Sequence, residues 1–177
     1  MTDLISSNHQ ENFKWIEGLA LEELNMDESG QVNIHQHLNP VHALEEASIE
    51  FMNDIRDQVE TFAAHFNQYR GGFNQSSQIK IFKISNTVND FMLFRHSLRL
   101  VFSRKTNDVI SIGFLTTGGG MVSPRLSAHE SMQLSSHEIK AHVGPFNDVS
   151  WKFQGEKIET KSLVKFYLSE FVRNSAR

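Results

Sequence analysis

The stretch Leu98–Thr116, with the sequence LRLVFSRKTNDVISIGFLT, decides the fold class of this 177-residue chain. Apolar side chains occupy every second position on each side of Thr106–Asp108, which has the composition of a tight turn. One face of the first half carries Leu98, Leu100 and Phe102, and one face of the second half carries Ile110, Ile112 and Phe114. This period of two is typical of an antiparallel β-hairpin with one face buried.

Similar alternation on both sides of the hairpin predicts further strands. They fall at Gln78–Ile84, Phe91–His96, Glu138–Val143 and Asp148–Gln154. Between the hairpin and the last two strands, residues 117–136 are rich in glycine and serine. A loop of that length in a small domain is either functional or disordered. The sequence therefore predicts an antiparallel sheet of about five or six strands.

Helical spacing replaces this alternation at both ends of the sheet region. After Asn39–Pro40, which suit a helix cap and a first helical position, apolar residues recur at helical spacing until Gly71. About thirty residues at 1.5 Å each make a rod of roughly 45 Å, longer than a small sheet covers. A closing helix from Thr160 carries an apolar stripe of Leu163, Val164, Tyr167, Leu168 and Phe171. The predicted fold class is α+β, with the long N-terminal helix and the C-terminal helix packed on the sheet.

The first 38 residues are predicted to lie outside this single α+β domain, which spans residues 39–177. Residues 1–12 are polar and aperiodic, so we expect a mobile tail. From Phe13 to Leu24 the apolar positions have helical spacing, interrupted by Gly18, which predicts a short amphipathic helix. A turn-rich connector with a brief strand at Val32–His35 completes the segment 13–38.

Composition excludes several classes of protein. The chain is 39% apolar and contains no cysteine, which excludes a disulfide scaffold, a thiolate nucleophile and a thiolate zinc site. No apolar run approaches the roughly twenty residues of a membrane span. The first residues also lack the basic and apolar regions of a signal peptide. We therefore expect a soluble, cytoplasmic protein that does not contact a membrane.

The net charge of −4 conceals two opposed blocks. Residues 1–60 carry thirteen acidic and two basic side chains, whereas residues 61–177 carry eight acidic and fifteen basic ones. The candidate binding residues come from both blocks. They are Glu46, Glu50, Asp54 and Asp57 on the long helix, and Arg99, Lys140 and Lys152 at outward positions of the sheet. Complementary blocks of this kind indicate a charged partner or self-association.

No catalytic or metal-binding motif accompanies these charges. The segment His137–His142 resembles the zinc motif H-E-x-x-H but is one residue too long, and on a strand its two histidines point to opposite faces. His35, His37 and His42 lack the spacing of a known zinc motif. The chain has neither a nucleophile elbow nor a phosphate-binding loop. We therefore assign no catalytic residue, no metal site and no cofactor.

The favoured function is a protein-binding or regulatory adaptor module that forms a homodimer. In this interpretation the C-terminal half of the long helix covers the sheet through Phe62, Phe66 and Tyr69, while the acidic half projects. Two series seven residues apart, Met52–Val59–Phe66 and Ile55–Phe62–Tyr69, also suit a coiled-coil seam. The acidic helix of one copy and the basic sheet face of another are then paired around a two-fold axis.

Two other functions are compatible with the sequence. One is a small-ligand domain, a hydrolase or isomerase, with an apolar pocket between sheet and helices and His96, His142 or Asp148 at its rim. The other is nucleic-acid binding by the basic sheet face. Against nucleic acid stand the acidic total charge and the fourteen phenylalanines, which fall mostly at core positions rather than at exposed stacking positions.

Overall fold

The computed structural model describes residues 13–31, 39–71, 75–116, 121–122 and 136–176. The chain divides into two compact units, Met1–Leu38 and Asn39–Arg177. The tail predicted at residues 1–12, the strand predicted at Val32–His35 and most of the loop predicted at residues 117–136 lie outside the described residues. No helix in the described part of the chain is both long enough and apolar enough to cross a membrane.

The first unit contains helix α1, which spans Lys14–Ser29. It continues past the predicted end at Leu24 because the next helix-ending residue is Gly30, whose φ of 65° is left-handed. The N–H of Gly30 donates to the carbonyl of Met26 and closes the last turn. A helix therefore forms where the sequence predicted one.

The second unit begins with helix α2, Pro40–Arg70, and ends with helix α3, Thr160–Ser175. The side chain of Asn39 accepts a hydrogen bond of 3.0 Å from the N–H of Val41, so the predicted cap is present. Gly71, with a φ of 58°, ends α2. The sequence signals at both ends of α2 are thus confirmed.

The sheet of the second unit is antiparallel throughout. Its strands are β1 Lys80–Lys83, β2 Phe91–Arg95, β3 Leu98–Thr106, β4 Val109–Thr116, β5 Met121–Val122, β6 His137–Val143, β7 Val149–Phe153 and β8 Glu156–Lys157. Seven of them lie in the order β1-β2-β3-β4-β6-β7-β8, and β5 pairs with the end of β4. The α+β prediction is confirmed. The sheet has more strands than predicted because two-residue strands such as β5 and β8 show no sequence period.

Helices α2 and α3 cover one face of this sheet and enclose the core. The rings of Phe91 and Phe102 stack 4.7 Å apart on neighbouring strands, and Phe51 of α2 stacks on Trp151 of β7 at the same distance. The largest fully buried side chains are Phe91, Phe102, Phe171, Met52, Ile55, Leu93, Leu100, Ile110, Ile112, Ile139, Val59 and Val164. The opposite face of the sheet, which we call the outer face, carries the side chains at the alternate positions.

The way α2 packs differs from the prediction. Its buried residues are Ser48, Met52, Ile55, Val59 and Ala63, so the middle of the helix covers the sheet. In the C-terminal half Phe62 is 41% exposed and Tyr69 is 88% exposed. The expectation is therefore wrong for Phe62 and Tyr69, whereas Phe66 does pack against the core. The acidic half does not project freely, because it contains the buried Ser48 and Met52. The coiled-coil seam is also ruled out, because Met52, Ile55 and Val59 are already buried inside the domain.

A buried arginine ties the end of α3 to the sheet. Arg95 on β2 is 4% exposed, and its guanidinium donates to the carbonyls of Ser77 and Val172 and to the hydroxyl of Ser175. The same group lies 5.2 Å from the centre of the Phe66 ring. Desolvation, and to a smaller extent the charge of Arg70, lowers the pKa of Arg95. These contacts fix the C-terminal turn of α3.

Candidate functional site

A groove of about 570 Å³ lies on the surface of the second unit where α2 and α3 meet. Its apolar floor consists of Phe62 from α2 and of Leu168 and Val172 from α3. Lys161, Lys165 and Arg173 form a basic rim, and Ser169 completes the lining. The α3 residues recur at spacings of three and four, so they form one stripe along the helix. From position 161 to position 173 this stripe is about 18 Å long.

The rim of the groove carries an excess of positive charge. Arg173 Nη1 lies 3.9 Å from the carboxylate of Glu170, one turn back along α3. Lys161 and Lys165 form no ion pair with any described carboxylate. The hydroxyl of Ser169 already donates to the carbonyl of Lys165 at 2.6 Å. The groove therefore offers apolar area and cationic side chains to a partner.

Sequence reasoning missed this groove because it depends on how two distant helices meet. Leu168 was placed in the core stripe of α3, but it lies at the edge of the buried arc formed by Leu163, Val164, Tyr167 and Phe171. Val172 lies further round the helix, beyond this arc. The apolar stripe of α3 is wider than burial against the core requires. This excess width was the sequence signal for a second contact surface.

Helix α1 carries a second set of exposed apolar side chains. Its large apolar side chains Trp15, Ile16, Leu19, Leu21 and Leu24 are between 44% and 64% exposed. The helix is also poorly stabilised by its own sequence. Phe13 at the N-cap makes no side-chain capping bond, and the last turn contains no basic residue. A short helix without these stabilising features is only marginally stable on its own.

The three residues of the predicted basic sheet face lie in two separate places on the sheet. Lys140 on β6 pairs directly with Lys152 on β7, which pairs with Lys157 on β8. Adjacent strands are about 4.8 Å apart, so the three lysines form a close row on the outer face. None of them forms an ion pair with a described carboxylate. We call these three residues the lysine row.

Arg99 does not belong to the lysine row. It pairs with Leu115 of β4, whereas Lys140 pairs with Val109 of the same strand. Six residues of β4 separate these two pairs, a distance of about 20 Å. The guanidinium of Arg99 lies 5.8 Å from the centre of the Phe94 ring on β2. Lys140 and Lys152 thus lie side by side, together with Lys157, which was not predicted. Arg99 lies apart from them.

The four acidic residues predicted on α2 share one exposed stripe. Glu46, Glu50, Asp54 and Asp57 are spaced by three and four residues and lie opposite the buried stripe of the helix. Some of their charge is met locally, since Arg56 lies 3.3 Å from Asp57 and Gln58 donates to Asp54. The stripe faces away from the sheet, whereas the lysine row lies on the outer face. A two-fold dimer that pairs each surface with the other needs them side by side, so this geometry does not support it.

No protein-family model, curated protein or solved structure matches this chain. A function for it must therefore follow from the chemistry of these surfaces.

The residues predicted at a pocket rim do not come together. His96, His142 and Asp148 are all exposed. His96 lies in the β2–β3 turn at one end of the sheet, and Asp148 lies beside the β6–β7 turn at the other. Among the described residues, the space between sheet and helices is occupied by the core side chains.

The histidines considered as metal ligands divide in the same way. His137 faces the core, where its Nδ1 is hydrogen-bonded to the hydroxyl of Tyr167, whereas His142 lies on the outer face. The positions of His35 and His37 lie outside the described residues. Across the described ranges, no three side chains of the types that bind metal ions come together.

Proposed function

We propose that this protein is a protein-binding adaptor that recruits a partner through helix α1. The observation that carries the proposal is the exposure of five large apolar side chains on this one 16-residue helix. Full burial of a leucine or isoleucine side chain contributes about 1.5–3 kcal/mol. Because these side chains are already about half buried, covering four of them contributes about 3–6 kcal/mol, which offsets part of the cost of association.

The sequence of α1 also favours folding on contact with a partner. Gly18 lies inside the helix and lowers its stability by about 1 kcal/mol relative to alanine. Asp27 and Glu28 lie near the negative end of the helix dipole, which disfavours acidic side chains there. A helix with these features gains most when an apolar groove receives it, as in helix-in-groove recognition.

The partner that suits α1 best is another protein with a basic, apolar groove. Glu17, Glu22, Glu23, Asp27 and Glu28 make the helix acidic. Two α1 helices paired around a two-fold axis bring these carboxylates together, which opposes a homodimer through α1. Light scattering over a range of concentrations tests the homodimer predicted from the sequence. A constant monomer mass would remove it.

The experiment that tests the adaptor function compares two variants of the tagged full-length chain. Leu19→Glu places a charge among the exposed apolar side chains, whereas Asn25→Glu adds the same charge at an exposed polar position of the same helix. Proteins captured from the native cell by the wild type should be lost with Leu19→Glu and kept with Asn25→Glu. Equal capture by all three chains would show that α1 is not the contact surface.

The lysine row supports nucleic-acid binding as a second candidate function. Three cations in register without an ion-pair partner among the described residues are suited to neutralising phosphates. A gel retardation assay with single-stranded and double-stranded probes tests this candidate. Binding should weaken steeply as salt is raised and should be lost in K140E/K157E. A shift that does not respond to salt would eliminate it.

A further inference from the structure

We propose that the groove between α2 and α3 is a docking site for an acidic amphipathic helix of a partner protein. This proposal goes beyond the recruitment through α1 and does not depend on it. It rests on the shape of the groove, the chemistry of its floor and the charge of its rim.

The shape of the groove favours a helix over a small molecule. The lining stripe follows α3 for about 18 Å, which equals the length of roughly twelve helical residues. The groove is open rather than enclosed, so it does not surround a ligand as small-molecule pockets do. Side-chain ridges of a third helix can pack into a groove between two helices. A docked helix of about twelve residues can therefore contact the groove along the whole length of the groove.

The chemistry of the groove specifies which face of the partner helix enters it. Phe62, Leu168 and Val172 provide an apolar floor, which accepts large apolar side chains at positions i, i+4 and i+7 of the partner. Lys161 and Lys165 lie beside this floor without a described carboxylate partner. Glutamates that flank the apolar ridge of the partner would complete these ion pairs. Charge complementarity thus selects an acidic helix over a basic one.

The test uses the full-length chain and two synthetic helical peptides as probes. The first peptide has 16 residues, with leucine at positions 2, 6, 9 and 13 and glutamate at the flanking positions. The second has glutamine in place of every glutamate. Fluorescence anisotropy at low and moderate salt measures the binding of each peptide. We expect the glutamate peptide to bind more tightly than the glutamine peptide and to lose that advantage as salt rises.

Variants of the chain locate the binding. K161E/K165E changes two exposed residues of the rim, and K140E/K157E makes the same change in net charge on the outer face. We expect the rim variant to weaken binding of the glutamate peptide by about tenfold and the control by less than twofold. Val172→Glu should abolish binding of both peptides. If Val172→Glu does not fold, judged by its thermal melting curve, the two double variants decide the question.

Three results would overturn the proposal. Equal affinity of the glutamine and glutamate peptides would remove the acidic partner. Equal weakening by both double variants would show non-specific attraction to positive charge. A homodimer that K161E/K165E dissociates, measured by light scattering without peptide, would show that a second copy occupies the groove. The first two results do not bear on α1, so they leave the test of the adaptor function independent.

Discussion

The hydroxyl of Tyr167 on α3 lies 2.5 Å from Nδ1 of His137 on β6, so a hydrogen bond links the helix layer to the sheet. Tyr167 is 6% exposed, and the rings of Phe102, Phe114 and Phe166 surround it. Burial raises the pKa of Tyr167 well above its ordinary value. The phenol therefore keeps its proton, and the direction of its hydrogen bond with Nδ1 follows the tautomer of His137.

Burial of the Tyr167 phenol gives the stability a defined dependence on alkaline pH. The unfolded chain loses the phenolic proton near pH 10, whereas the folded protein retains it to higher pH. The contribution is complete below about pH 10 and is lost as the pH rises further, because the unfolded state then binds fewer protons. Urea unfolding between pH 8 and pH 11 measures this decline.

The variant Tyr167→Phe isolates the contribution of the phenol. At pH 7 it should be less stable by about 1–2 kcal/mol, because the hydrogen bond to Nδ1 of His137 is lost. Its stability should fall less than that of the wild type between pH 10 and pH 11. Parallel declines for the two chains would assign the alkaline effect to other groups.

Arg95 should be among the residues most sensitive to substitution. Arg95→Met removes the donor to two carbonyls and the link to the C-terminal turn of α3, so we expect a loss of about 3 kcal/mol. Arg99→Met, on the outer face, should cost less than about 0.5 kcal/mol. Chemical denaturation measures both values. A small effect at Arg95 would mean that water replaces its hydrogen bonds.

Gly18→Ala should strengthen binding through α1. No atom lies within 4 Å of a Cβ placed at this position, so alanine fits without a clash. The substitution stabilises the helix by up to about 1 kcal/mol, which corresponds to an affinity gain of up to about fivefold if α1 folds on binding. Circular dichroism measures the gain in helix, and titration with the captured partner measures the affinity. Higher helix content with unchanged affinity would show that the folding of α1 does not limit its affinity for the partner.

The lysine row should reduce the stability of the domain. Like charges directly opposite each other on neighbouring strands are unfavourable, and Lys152 has such a neighbour on both sides. Lys152→Glu should therefore stabilise the protein by about 0.5–1 kcal/mol at low salt. Lys105→Glu is the control. Lys105 pairs with Glu138 at 2.9 Å, so reversing its charge should destabilise the protein. A lower stability of Lys152→Glu than of the wild type would contradict the prediction that repulsion within the lysine row destabilises the domain.

The elements of the fold were predictable where one face of a segment is buried. Alternation in Leu98–Thr116 indicated the central hairpin because burial of one face imposes that period. Asn39–Pro40 and Gly71 indicated the ends of α2 through local chemistry. Neither signal depends on residues distant in the sequence.

The candidate surfaces were only partly predictable, because they depend on tertiary contacts. The outward positions of Lys140 and Lys152 follow from strand alternation, but Lys157 required the register of a two-residue strand. Hydrophobic pattern gives no sign that an arginine at position 95 is buried, since its carbonyl partners come from distant segments. The groove forms where α3 contacts α2, and the apolar periodicity of neither helix specifies that contact.

The meeting of α2 and α3 also affects how the domain folds. The hydrogen bond from Gln58 to Thr160 joins residues 102 positions apart, whereas most ladders of the sheet join strands that are consecutive in the chain. Closing so long a loop costs conformational entropy before the contact contributes any stability. Hairpins of the sheet can thus form early from their own turns, and we expect docking of α2 against α3, with its high contact order, to limit the folding rate.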